Sequence, residues 1–311
     1  DEIMVANFMV FQDVVDDGGY DLVIADEAWE GEHDGHEQPE RNRGALAWFT
    51  DFVGYAPMPE GGDREAFLTA DYNAEMLEHV ERHPRVRDRS IFVGNAADIV
   101  PGTFGRNLPG IRDWTARHFA FSGYITGRAA PDRDDRAARR REFGFADGET
   151  VCIATVGGSA VGAHLLRRII AAAPAIRRRV PGMRMIVVAG PRIDVAKLPA
   201  SPGVEVLGYV ADLDRQLAAC DIALVQGGLT TCMELTEARV PFVYFPIRHH
   251  FEQNVHVRYR LERYGAGRCM TYEDASPDAI AEAVVEELAR GAPFAPVERD
   301  GALRAARMLD E

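Results

Sequence analysis

Ile222-Ala-Leu-Val-Gln-Gly-Gly-Leu-Thr-Thr-Cys-Met-Glu234 packs an apolar run, a glycine turn, two hydroxyls and a carboxylate into one short stretch. The apolar run has the length and composition of a buried strand, and residues 230–239 read as the helix that follows. Glycines allow a tight turn, and the first N–H groups of a helix favour an anion. The same order occurs earlier. There Val151-Cys-Ile-Ala-Thr-Val156 leads through Gly157-Gly158-Ser159-Ala-Val-Gly162 into a helix over 164–180. Further strands are predicted at 185–189, 204–207 and 242–245, with helices at 212–220, 252–264 and 277–290. Regular strand–helix alternation implies a parallel sheet covered by helices on both faces. Ligands in such sheets sit beyond the strand C-termini, where both glycine turns fall.

The first 126 residues carry fewer clear units. Strands are predicted at 20–26, 45–49, 90–93 and 119–124, and a helix at 64–82. Met4, Phe8, Phe11 and Val15 recur at helical spacing, so the chain opens at Asp1 inside an amphipathic helix. That abrupt start leads us to expect that upstream residues belong to the same domain. Between 93 and 119, Pro101, Gly102, Gly105, Pro109 and Gly110 predict a loop that runs over the surface. A composition change near Gly127 places a domain boundary there. The expected division is 1–126, 127–290 and a C-terminal segment, 291–311, whose helix packs back on the first domain.

At 311 residues the chain is long enough for two domains, and a charged fraction of 27% suits a globular protein. A net charge of −14 argues against a general nucleic-acid or anionic-membrane binder. No apolar run has membrane-spanning length. With no signal-like N-terminus, cytoplasmic residence is the expectation. Cys152, Cys220, Cys232 and Cys269 are scattered without a CxxC pair and read as reduced structural thiols.

The glycine turn at 157–162 is neither a Walker loop nor a dinucleotide GxGxxG, and alone it suits a plain strand–helix turn equally well. Its repetition at Gly227-Gly228 makes a shared phosphate site the stronger reading. Glu234, near the end of the first helical turn, is placed either as a favourable N-terminal charge or as the acceptor for a ribose diol. Pro246-Ile-Arg-His-His-Phe-Glu-Gln-Asn254 gathers polar side chains that can fix several sugar hydroxyls, among them His250, Glu252 and Gln253. A metal site at His249-His250 is disfavoured, because adjacent side chains point apart. No metal and no cofactor is expected.

With these residues in view, the region 126–270 resembles the donor-binding half of GT-B glycosyltransferases. It is most similar to the branch of the peptidoglycan N-acetylglucosaminyltransferase and the UDP-glycosyltransferases. The resemblance implies an α/β chain of two Rossmann-like domains with parallel sheets, the N-terminal one incomplete. It implies that Gly157, Gly158 and Ser159 approach a diphosphate, that Thr230 and Thr231 contact phosphate, and that Glu234 holds the ribose. Glu252 and Gln253 match an acid–glutamine pair for the donor sugar, and Tyr209-Val210 a loop that takes the base through its backbone. Gln226 stands where some members have a phosphate-binding histidine, and Glu252 where an aspartate is common.

The implied reaction is metal-independent, inverting transfer of a sugar from a nucleoside-diphosphate sugar, UDP-linked by family weight, to a small-molecule or lipid acceptor. Arg192 and Arg248 are candidates to assist the diphosphate. Asp26 resembles the acid that orients the general base, with the base itself expected upstream. Glu27, His33, His36 and Asp51 are fallback base candidates, and the acidic loop 30–40 reads as solvated surface. A nucleotide-sugar epimerase of the same fold, or a non-catalytic nucleotide-sugar-binding subunit, are the alternatives.

Overall fold

Continuous apolar runs with few polar interruptions call for strands covered on both faces, and the chain builds two all-parallel sheets from them. The computed structural model describes residues 2–28, 44–83, 86–126, 136–158 and 160–310. The chain divides into two compact units, Asp1–Ile125 with Glu298–Glu311, and Thr126–Val297.

In the first unit β1 (Leu22–Asp26), β2 (Ala45–Thr50), β3 (Arg89–Val93) and β4 (Ala120–Gly123) form a four-stranded parallel sheet in sequence order. Ala47, Phe49 and Ile91 pack with Ala305 of the helix Gly301–Asp310, which returns to this unit. The helix Glu2–Gly18 half-buries Phe8, Phe11 and Val15 and exposes Ile3, Met9 and Val10.

The segment predicted as a surface loop is instead part of this core. Ile99, Val100 and Phe104 are buried, and Ile111–His118 is a helix with Ile111, Trp114 and Thr115 inward. Trp114 meets Phe104 edge-to-face with ring centroids 5.5 Å apart. Asn73, fully buried on the helix Gly62–Arg82, explains how so irregular a segment is tolerated inside. Its Oδ1 accepts from Tyr55 N at 2.8 Å, and its Nδ2 donates to Tyr55 O at 2.9 Å and Phe104 O at 2.8 Å. One amide thus satisfies loop backbone that would otherwise be buried without partners. The turn residues dominated the sequence reading, while the i, i+3, i+4 spacing of Ile111, Trp114 and Thr115 was the signal for the helix.

The second unit contains β5 (Val151–Thr155), β6 (Arg184–Val188), β7 (Val204–Leu207), β8 (Ile222–Gln226), β9 (Phe242–Phe245) and β10 (Arg268–Cys269). Their order across the sheet is β10-β9-β8-β5-β6-β7, all parallel. The helix Ala163–Arg179 buries Leu165, Leu166, Ile169, Ile170 and Ala173 against the sheet and the helix Pro277–Arg290. Residues through Val297 stay with this unit. Ala295 N donates to Tyr264 O at 2.9 Å, and Phe294 packs edge-on to Phe242.

The basic helix Arg136–Glu142 is tied to the sheet through Asp221. One Asp221 oxygen lies 3.0 Å from buried Arg140 and accepts from Val151 N at 2.8 Å, and the other lies 2.8 Å from Arg136. Arg140 also donates to the carbonyls of Ala219, Ala146 and Glu149. Asp221 therefore joins the starts of β5 and β8 to the helix. Removing one partner of a buried pair strands the other charge, so Asp221→Ala should lower the unfolding free energy by roughly 3 kcal/mol. Urea denaturation monitored by circular dichroism checks this. A variant as stable as the parent would show that the network carries no net stability.

Candidate nucleotide-sugar site

Chain order places the glycine turns beside one another. From β5 the chain moves outward to β6 and β7, and from β8 it moves the opposite way to β9 and β10. β5 and β8 are neighbours, with Thr155 opposite Val225. The turns Gly157-Gly158 and Gly227-Gly228 thus leave adjacent strand ends at the point where strand order reverses, which is where parallel sheets open a crevice. Ser159 lies outside the described residues.

Each turn needs glycine for a definite reason. Gly157 has φ +74°, the left-handed region that a side chain disfavours. At Gly227 an added Cβ would lie 3.2 Å from the Pro246 backbone, so a side chain would push the neighbouring strand end away. The helix Leu229–Ala238 starts immediately beyond, with Gly228 as its extended N-cap. Thr230 is exposed and Thr231 half-buried on its first turn, where helix N–H groups point out of the helix end.

Glu234 is half-buried on the same helix. Burial, with the carboxylates of Asp214 and Glu237 adding repulsion, pushes its pKa up to about 7. Its charged form is therefore poorly solvated and lies near two other carboxylates.

The 246–254 segment is held from inside by two amides. Gln253, buried, accepts from Ile247 N at 2.8 Å through Oε1. Asn254 Nδ2 donates to Ile247 O at 2.8 Å and His250 O at 2.9 Å. Both backbone groups of Ile247 are thereby pinned, and His249 is fixed at φ +60°. The predicted helix over 252–264 begins as a π-helical turn, Glu252–Val257, before the α-helix Arg258–Tyr264. Gln253 and Asn254 lie in that first turn, and both reach back to Ile247. Half of Gln253's hydrogen-bonding capacity thus goes to shaping the turn, leaving its NH2 group for a ligand. Among the described residues His250 Nδ1 is buried without a hydrogen-bond partner, and burial lowers the pKa of His250.

A cavity of about 650 Å³ opens beside these strand ends. Gln226, Phe245, Pro246, Ile247 and Arg248 form one side, and Val161, Gly162, His164, Leu165 and Arg168 the other, with Tyr272 and Glu273 between. The sequence reading missed Arg168, Tyr272 and Glu273. Their contact joins positions 104 apart in the chain, for which no local pattern exists. Tyr209, 73% exposed, and Val210 follow β7 at the far edge of the sheet. Arg192 is exposed. Three thiols, Cys152, Cys220 and Cys232, are fully buried with pKa values raised by burial, while Cys269 is half-buried.

In the first unit Asp26 is exposed at the end of β1. Glu27 beside it accepts from Thr50 Oγ1 at 2.7 Å and Asp51 N at 3.3 Å, so its carboxylate closes the end of β2. His33, His36 and the 30–40 loop lie outside the described residues.

Comparison with known proteins agrees with this geometry. Residues 152–306 match the glycosyltransferase family 28 C-terminal domain. The chain is 29% identical over 188 residues to an uncharacterized glycosyltransferase of Methanopyrus kandleri, covering 60% of this chain and 52% of that protein. It is 31% identical over 189 residues to the UDP-N-acetylglucosamine–N-acetylmuramyl-(pentapeptide) pyrophosphoryl-undecaprenol N-acetylglucosamine transferase of Acidothermus cellulolyticus, across 57% of this chain and 50% of that one. Among solved structures, the glycotransferase of kitacinnamycin superposes with a TM-score of 0.57 at 16% identity, covering 92% of this chain and 72% of that chain. The fold is that of the GT-B class, two Rossmann-like α/β units. Residues 152–306 thus carry a glycosyltransferase family 28 C-terminal domain. It spans about half the length of the curated relatives it matches.

The raised pKa of Glu234 has a measurable sign. Between its ordinary value near 4.5 and about 7 the folded state holds more protons than the unfolded state. The contribution of Glu234 to stability then falls as pH rises through that window. Glu234→Gln should flatten this part of the pH–stability profile. Parallel slopes for parent and variant between pH 4.5 and 7 would place the titration elsewhere.

Proposed function

We propose that the protein transfers a sugar from a UDP-linked donor to an acceptor hydroxyl, without a metal and with inversion at the anomeric carbon. The observation that carries this reading is the pair of glycine turns on adjacent strands β5 and β8, with Glu234 one helical turn beyond the second. The diphosphate would lie against the backbone of both turns, with Thr230 and Thr231 donating hydroxyl hydrogens. Glu234 would accept from the two ribose hydroxyls, and the Gln253 amide with Glu252 and His250 would receive the sugar. The UDP preference rests on the Acidothermus relative, a transferase of N-acetylglucosamine from its UDP-linked form. That protein acts on a lipid-linked acceptor, so a lipid or small-molecule hydroxyl is the acceptor class proposed here.

As the glycosidic bond breaks, negative charge builds on the diphosphate oxygens. Fixed N–H and hydroxyl dipoles at a helix start stabilise developing charge without reorganising. The acceptor proton passes to a general base, with Asp26 proposed to orient that base.

Thermal shift against UDP-, dTDP- and GDP-sugars tests donor binding, with stabilisation by the UDP set expected. Glu234→Ala should weaken UDP binding by about tenfold or more in calorimetry, the scale of lost charge-assisted hydrogen bonds. Parent-like affinity in that variant would remove the ribose assignment. Transfer should persist in EDTA. Formation of an isomerised sugar nucleotide from donor alone would instead identify an epimerase.

A further inference from the structure

Among the described residues, none of the side chains proposed to touch the donor, from Thr230 and Thr231 to Glu234 and Gln253, lines the cavity beside Gln226. Its wall comes instead from the first turns of the helix Ala163–Arg179, the end of β9 and the turn at Tyr272. That wall has a charge of its own. In a chain of net charge −14 it gathers Arg168, Arg248 and His164 against one carboxylate, Glu273. Arg168 is half-buried and held in place. Its guanidinium stacks 3.7 Å from the Tyr272 ring centroid and donates to Tyr272 O. That contact takes one face and one hydrogen, leaving the other N–H groups for a ligand. Arg248 meets Glu273 at 3.5 Å, and both side chains are more than half exposed. So long and solvated an ion pair contributes little, and an entering anion would displace Glu273 at small cost.

The rest of the lining is largely apolar. Leu165, Phe245 and Pro246 are buried, Ile247 is half-buried and Val161 is 61% exposed. A volume of about 650 Å³ is far more than inorganic phosphate fills, and it lies within the ~300–1,000 Å³ of small-molecule sites. An anion in such surroundings needs a charged partner, and the apolar surface gains from an apolar body laid against it. We propose that the cavity is a second ligand site, for a small amphipathic anion such as an acyl carboxylate or a prenyl phosphate. Arg168 and Arg248 take the anionic head, and Leu165, Phe245 and Ile247 the tail. Ile247 is also the residue that Gln253 and Asn254 pin, so an occupant bears on the loop at the sugar end. The proposal goes beyond the nucleotide-sugar reading and does not depend on it.

Calorimetric titration of the full chain with decanoate and geranyl phosphate, each beside its neutral alcohol, separates the contribution of the head from that of the tail. At least one anion is expected to bind ~10-fold or more tightly than its alcohol, a gain that a charge-assisted contact readily supplies. The tighter anion identifies the head group, and inorganic phosphate, which has no tail, should bind more weakly than geranyl phosphate. Arg168→Gln should cut anion binding by about tenfold and leave the alcohols unchanged. Val161→Asp sets a carboxylate beside the anion from an exposed position, so it should do the same without disturbing the core. Saturating UDP should leave the anion bound. Absence of anion binding, equal affinity for anion and alcohol, or binding that both variants retain overturns the proposal. So does displacement of the anion by UDP, since the cavity would then belong to the nucleotide site. Failure of UDP to bind the parent protein strikes the nucleotide-sugar reading and leaves this site standing.

Discussion

Crossovers between parallel strands are right-handed, and this handedness fixes where the second unit can bind anything. A chain that winds outward from β5 to β7 can place its next strand beside β5 only by returning to the middle and winding the other way. It does so at β8. The helices that follow β5 and β8 then leave adjacent strand ends in opposite directions across the sheet. The glycine turns at Gly157 and Gly227 follow the two strands, β5 and β8, at which strand order reverses. Their chemistry follows from topology before any side chain is considered.

Topology places the site, and side chains far from it keep it rigid. Asp221 fixes β5 and β8 relative to one another from the opposite end of the strands, through Val151 N and the two arginines. At the ligand end the same task falls to Gln253 and Asn254, which hold both backbone groups of Ile247. A loop fixed in this way need not be ordered when a ligand arrives, which preserves binding energy for contacts with the ligand. The π turn at Glu252–Val257 belongs to this arrangement.

How much of this the sequence disclosed depends on the range of each interaction. The strands of the second unit were legible because burial on both faces demands uninterrupted apolar runs, and the glycine turns because few other residues make such turns. Glu234 was legible through its spacing from the turn. The segment around Phe104 and Trp114 was not, since its place inside depends on Asn73, which comes from another element and leaves no local trace. Arg168 and Tyr272 were hidden for the same reason. The contact of Gln253 with Ile247 N left no trace in the sequence, because it is a backbone contact across a loop.

Glu234 shows the tension between folding and binding most directly. Burial and two neighbouring carboxylates destabilise its ionised form in the ligand-free protein. A folded chain optimised for stability alone would place an amide or an apolar residue there. The carboxylate is instead held at the balance point between its two protonation states, where a small change in surroundings decides between them. Two hydroxyls donating to it would favour the ion and lower its pKa, as hydrogen bonds to a charged form do. A diol ligand would therefore gain from relieving a cost that the empty protein bears, and its binding would release a proton near neutral pH. A residue placed only to complement the helix start would have no such reserve, because it would already be ionised and solvated. The half-buried carboxylate carries a cost that its own helix does not offset.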